Sequence, residues 1–165
     1  MKYAIAFCAL LLAACGGGND EFDGGPVPAS THVRLQSDPG DVMGQGGTFD
    51  YTPANSTISM SANGVVVTLE IVSAERWRGV FELPAGQFLR PGNYVLQPGT
   101  RFGLAPADGS AGWTRACAGA TRGQLNVFSV AYSGPMLIGV SMEFELRCDS
   151  APAAAMRGRV DWRLP

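Results

Sequence analysis

Two glutamates one residue apart, Glu143 and Glu145, are the side chains whose type and spacing come nearest to catalysis in this sequence. On a β-strand, positions i and i+2 share a face about 7 Å apart, within the range a glycosidase needs between its two carboxyl groups. Their company argues against that use. Arg147, Arg157 and Arg159 lie nearby in sequence or across a hairpin, and such cations keep both acids ionised, whereas a general acid needs a raised pKa. Other catalytic designs fail on residue type. A Walker loop needs a lysine at its end, a zincin needs two histidines, and an α/β-hydrolase needs Gly-x-Ser-x-Gly. The sequence has one lysine, Lys2, one histidine, His32, and no such elbow. A serine triad would have to be built on His32, so no catalytic residue is expected.

Candidates for binding remain. Asp38 and Asp41 flank a Pro-Gly turn followed by Gly44-Gln45-Gly46-Gly47, and could offer oxygen ligands to calcium together with backbone carbonyls. The spacing is not that of an EF-hand, and Asp in Gly-rich stretches is also an ordinary turn former. Trp77, Tyr94 and Trp113 could form a stacking platform for sugars, although a tryptophan in the core or at its rim is the commoner arrangement. Of the three, Trp113 lies in the most loop-like region.

These residues need a body to hold them, and its start is marked by the N-terminus. One basic residue, Lys2, precedes an uncharged apolar run from Ala4 to Ala14. That is too short for a spanning helix of about 20 residues and matches a secretory signal. The junction Leu12-Ala13-Ala14-Cys15 resembles the lipobox of bacterial lipoproteins. The resemblance implies removal of residues 1–14, acylation of Cys15, and a palmitate-bearing membrane anchor; two or more acyl chains hold stably where one binds reversibly. Gly16, in place of an aspartate, matches the pattern of lipoproteins sent to the outer membrane. Residues 16–30, GGGNDEFDGGPVPAS, are too poor in large apolar residues to repay ordering and read as a tether of roughly 20 Å.

With Cys8 in the signal and Cys15 lipidated, Cys117 and Cys148 are left as a pair in an oxidising compartment and are expected to form a disulfide. A metal site would lack partners, since His32 stands alone and there is no Cys-x-x-Cys. Eleven arginines face fourteen acids after Lys2 is removed, which speaks against a nucleic-acid partner.

Beyond Ser30 the pattern is that of sheet. Twenty-two glycines and eleven prolines cut the chain into short pieces that alternate apolar and polar with period two. In MLIGVSMEFELRC the even positions from Met136 to Cys148 are apolar or sulfur-bearing, and Glu143, Glu145 and Arg147 fall on the other face. The last segment puts Met156, Gly158, Val160, Trp162 and Leu164 on one face and Arg157, Arg159, Asp161 and Arg163 on the other. Pairing the two antiparallel, across the loop DSAPAAA, sets acids against arginines, which accounts for the arginine run without a binding patch. Asn63-Gly64 predicts a hairpin whose turn residues both take positive φ. Further strands are expected at 32–36, 48–52, 76–83, 93–97 and 124–132, with 99–123 as the longest loop. The expected fold is all-β, an antiparallel β-sandwich of about eight or nine strands over residues 31–165, jelly-roll-like, with a barrel as the alternative.

The stretch SDPGDVMGQGGTFDY, residues 37–51, together with Arg115-Ala116-Cys117 and Phe144-Glu145-Leu146-Arg147-Cys148-Asp149, resembles a set of exported bacterial proteins of mostly unassigned function. The set shares a Ser-x-Pro-Gly-Asp-x-x-Gly-x-Gly opening, and the chain differs from it at Val42, Ala116 and Ala118. This resemblance covers residues 33–165 and implies a secreted sandwich with one disulfide. The sequence therefore predicts a membrane-anchored envelope lipoprotein with a non-catalytic binding or structural role, with envelope protein or glycan as partner. A carbohydrate-binding module and an envelope glycan hydrolase are the alternatives.

Overall fold

The computed structural model describes residues 27–165. The expected signal peptide, Cys15 and most of the tether lie outside the described residues. Eleven strands follow: β1 (His32–Ser37), β2 (Thr48–Tyr51), β3 (Thr57–Asn63), β4 (Val66–Val72), β5 (Arg76–Glu82), β6 (Gly92–Val95), β7 (Arg101–Leu104), β8 (Arg115–Ala116), β9 (Thr121–Ser133), β10 (Met136–Cys148) and β11 (Ala151–Arg163). They form a six-stranded sheet in the order β2-β1-β11-β10-β9-β6 and a five-stranded sheet in the order β3-β4-β5-β7-β8. All pairings are antiparallel. The fold is a β-sandwich, as the period-two pattern requires.

Alternation explains which face of each strand turns inward. Val67, Leu69 and Ile71 on β4 and Trp77 and Phe81 on β5 are wholly buried, and their odd-numbered spacing puts them on one side of the pleat. From the opposite sheet come Val140, Met142, Phe144 and Leu146 of β10 and Met156, Val160 and Trp162 of β11. The two layers meet through aromatic rings. Phe144 lies 5.0 Å from both Phe81 and Phe102, and Trp77 is 5.7 Å from Phe102. Offset and tilted rings at such distances add attraction beyond the area they bury. The buried indole of Trp77 donates to the Tyr51 hydroxyl at 2.7 Å, so its N–H carries no desolvation penalty.

Glycine makes two of these approaches possible. Gly158 sits opposite Phe144 in the β10–β11 register, and a Cβ there would overlap the Phe144 ring. Gly103, at φ +156°, lets β8 come against β7: a Cβ would overlap the Arg115 carbonyl.

Cys117 and Cys148 are bonded, with Cα atoms 5.3 Å apart, joining the loop after β8 to the end of β10. At the other end of β11, Thr31 Oγ1 donates to the Arg163 carbonyl at 3.2 Å, and the Arg163 amide donates back to it at 3.1 Å.

The structure has eleven strands where about eight or nine were expected, and it amends the sequence reading in further places. The stretch expected to be the longest loop, 99–123, holds β7, β8 and the start of β9; Gly103 and the two-residue length of β8 hide the alternation. DSAPAAA is not a loop throughout, because β11 begins at Ala151. Its alanines carry little β propensity, yet Ala154 and Ala155 are buried. The β3–β4 turn consists of Gly64 and Val65, since Asn63 pairs with Val66, and only Gly64 has positive φ, +58°. Finally, Val27 packs close to Gly139 and Arg163 donates to the Ala29 carbonyl at 3.2 Å, so the end of the expected tether lies against the sandwich.

Candidate functional site

The outer face of the six-stranded sheet carries the densest set of polar side chains, and the strand register arranges them in two ladders. One crosses all six strands as Asp50, Arg34, Arg159, Glu143, Asn126 and Asn93. The second runs beside it as Thr48, Gln36, Arg157, Glu145, Gln124 and Val95. Neighbouring strands are about 4.8 Å apart, so each ladder spans about 24 Å. Between β1 and β9 the ladders line a groove of about 360 Å³.

Charges in the middle of the groove are matched. Arg157 donates to Glu145 Oε2 at 2.9 Å and to Asp38 Oδ1 at 2.7 Å, while Arg147 donates to Glu145 Oε1 at 2.8 Å. Arg159 reaches Glu143 at 3.2 Å and Asp161 at 3.0 Å, and Asp161 accepts from the Ser141 hydroxyl at 2.6 Å. The hydrogen bond from Arg147, aided by Arg157, holds the Glu145 carboxyl below its usual value of 4.5 against a partial burial that pushes the other way. Hydrogen bonds from Arg157 and the Ala155 amide likewise lower Asp38. Burial pushes Asp161 up, but the bonds from Arg159 and Ser141 prevail and it too lies low. The pairing of the glutamates with arginines across the hairpin, expected from sequence, is present: Glu143 stands opposite Arg159 and Glu145 opposite Arg157.

The flanks of the groove differ from its middle. Among the described residues, the side chains of Arg34 and Gln36 on β1 and of Gln124 and Asn126 on β9 have no partner within the chain. Arg34 stands directly opposite Arg159, a like-charge pair, and its other neighbour, Asp50, is bonded to His32 at 2.6 Å. Phe128 is 45% exposed on β9, with the Arg159 guanidinium 4.6 Å from its ring centre.

The other sequence candidates are dispersed. Trp77 is fully buried in β5, and Tyr94, on β6 of the opposite sheet, is buried with its hydroxyl taken up by Arg90 and Phe88 backbone. Only Trp113, half-buried between β7 and β8, reaches the surface. The three therefore form no common stacking platform, because strand alternation turns Trp77 and Tyr94 into the core. His32 is bonded to Asp50 and to no hydroxyl among the described residues.

Asp38 and Asp41 do not converge either. Asp38 is engaged by Arg157 and by the Ala155 amide at 3.1 Å, whereas Asp41 is buried and accepts from the Ser37 hydroxyl and the Gly44 amide, each at 2.8 Å. No group of three or more metal-binding side chains occurs among the described residues. The Ser-x-Pro-Gly-Asp-x-x-Gly-x-Gly stretch is instead a buckle. Ser37 Oγ also accepts from the Gly46 amide at 3.0 Å, Gly40 and Gly46 have φ of +89° and +81°, and a Cβ on Gly44 would overlap Ser37. Gln45, at φ +53°, accepts from Arg115 at 3.0 Å, and Arg115 in turn lies 5.8 Å from the Trp77 ring centre. Two motifs far apart in sequence thus meet at one point of the fold.

A second recess, of about 400 Å³ and mostly apolar, lies at one end of the sandwich between Asn63, Phe88, Leu89, Tyr132 and Pro135. Sequence reading singled out Glu143, Glu145, Arg157 and Arg159 but missed Arg34, Gln36, Gln124 and Asn126. Their alternation with buried neighbours was visible, but their shared register across four strands was not. No family model, curated protein or solved structure matches the chain.

Proposed function

We propose that this chain is a lipid-anchored protein of the bacterial cell envelope, facing the periplasm or the surface from the outer membrane, whose sandwich works by binding and not by catalysis. The anchoring rests on Leu12-Ala13-Ala14-Cys15 and the Gly-rich segment behind it. The non-catalytic role is carried by one observation: both acids of the best carboxylate pair are bonded to arginines, Glu143 to Arg159 and Glu145 to Arg147 and Arg157. A glycan hydrolase needs one acid of the pair protonated near neutral pH, and this arrangement works against it.

Mass spectrometry of the mature N-terminus tests the anchor. Expected are diacylglycerol on Cys15 and loss of residues 1–14, with the Cys15→Ser protein recovered in the soluble fraction. An unmodified Cys15 would remove the anchor from this reading, and release of reducing ends from envelope glycans, lost in Glu145→Gln, would remove the non-catalytic role.

A further inference from the structure

We propose that the groove on the outer face of the six-stranded sheet binds an oligosaccharide lengthwise across the strands, with an acidic sugar at its Arg34 end. This deepens the binding reading above and is independent of the anchor.

The groove offers hydrogen-bonding groups that the fold does not use. Arg34 and Gln36 project from β1, and Gln124 and Asn126 from β9, all without side-chain partners among the described residues. Three strand intervals separate the two sets, about 14 Å. A ligand satisfying both must be extended and must present donors and acceptors along its length. The amides supply both, and the guanidinium supplies donors in a fixed fork. Hydroxyl arrays of a glycan match such a mixed set.

Charge narrows the class. Arg157 and Arg159 are each met by two carboxylates, so the middle of the groove lacks the open positive field that a nucleic acid or other polyanion would require. Arg34 is the lone surplus. It faces Arg159 across the β1–β11 register, a like-charge opposition that costs stability and that a ligand carboxylate would relieve. An Arg–carboxylate pair is often bidentate and fixes orientation as well as adding affinity. Phe128, beside Asn126 on β9 and partly covered by Arg159, gives an apolar surface on which a sugar ring can rest.

The test is an array of short neutral and uronic-acid oligosaccharides probed with the full chain, followed by titration of the best-retained sugar of each kind. Expected is retention of uronic-acid oligosaccharides over their neutral counterparts by about tenfold. Gln124→Ala/Asn126→Ala should weaken binding of both kinds by about tenfold or more. Arg34→Gln should abolish the preference for the acidic sugar while leaving neutral binding in place. Gln124→Ala/Asn126→Ala should melt at the wild-type temperature, because these side chains bond nothing among the described residues, and Arg34→Gln should melt at or slightly above it, because it removes a like-charge opposition. An array that retains no sugar, or variants that bind as the wild type does, overturns the proposal, as does binding lost instead in Trp113→Ala. A silent array with acylated Cys15 would refute the groove alone. Sugar binding with an unmodified Cys15 would refute the anchor alone.

Discussion

The Ser37 hydroxyl donates to the buried Asp41 carboxylate at 2.8 Å and accepts from the Gly46 amide at 3.0 Å, which ties the end of β1 to the turn that leads into β2. Asp41 Oδ1 has no partner among the described residues, so Oδ2 depends on Ser37 and Gly44. Replacing Ser37 by alanine leaves a buried carboxyl group short of a hydrogen-bond partner and an amide short of an acceptor. We expect Ser37→Ala to cost about 2–3 kcal/mol in chemical denaturation. A loss under about 0.5 kcal/mol would mean the buckle contributes nothing.

Acid should unfold the protein through the groove's own carboxylates. Asp38, Glu145 and Asp161 all have pKa values lowered in the folded state. Each therefore contributes stability that is complete above its unfolded value, 3.8 or 4.5, and is lost as pH falls through the lower folded value. The melting temperature should be flat from neutrality to about pH 5 and fall below about pH 4.5. Asp38→Asn should reduce the slope of that fall, and an unchanged slope would show that its bond to Arg157 has no energetic weight.

The disulfide closes a segment of 31 residues. Chain-entropy arguments give such a bridge about 3.5–4 kcal/mol. Cys117→Ser/Cys148→Ser should lose about that much, with the wild-type protein in reductant matching it. Equal stability with and without reductant would remove the staple from the account.

Trp77 is enclosed by Phe49 and Phe102 and bonded to Tyr51. Truncation to alanine should cost about 3–5 kcal/mol. Tyr51→Phe, which removes only the acceptor of the indole N–H, should cost about 1–3 kcal/mol, read from the same urea transitions.

At Gly158 an added methyl would run into the Phe144 ring, which lies over it from the neighbouring strand. Gly158→Ala should destabilise by about 1–3 kcal/mol. Gly64→Asn, at an open turn position with φ +58°, should stay within about 1 kcal/mol of wild type.

Legibility in the sequence followed periodicity. Val140 to Cys148 and Met156 to Trp162 alternate apolar with polar in sequence, and both strands, their inward faces and the opposition of the two glutamates with the arginines could be read directly. Nearer Met136 the rule failed: Leu137 is buried and Met136 is 52% exposed, because the register shift between Leu137 and Gly139 inserts Ile138 as an extra residue on β10 and changes which side faces in. β7 and β8 escaped notice because a strand of two residues has no period and Gly103 marks a close backbone approach, not a loop. The groove could not be assembled at all from one dimension. Arg34 and Arg159 lie 125 positions apart, and what makes them neighbours is the pairing of β1 with β11.

That pairing also governs how the sheet is held together. β1 and β2 join the six-stranded sheet only through β11, the last of the described strands. Without residues 151–163, β1 and β2 have no strand of that sheet to join, and the edge of β10 that pairs with β11 is left open. One late segment is thus the clasp of the sheet: β1 and β2, drawn from the first quarter of the described residues, are held to β10, β9 and β6 by residues 151–163 alone.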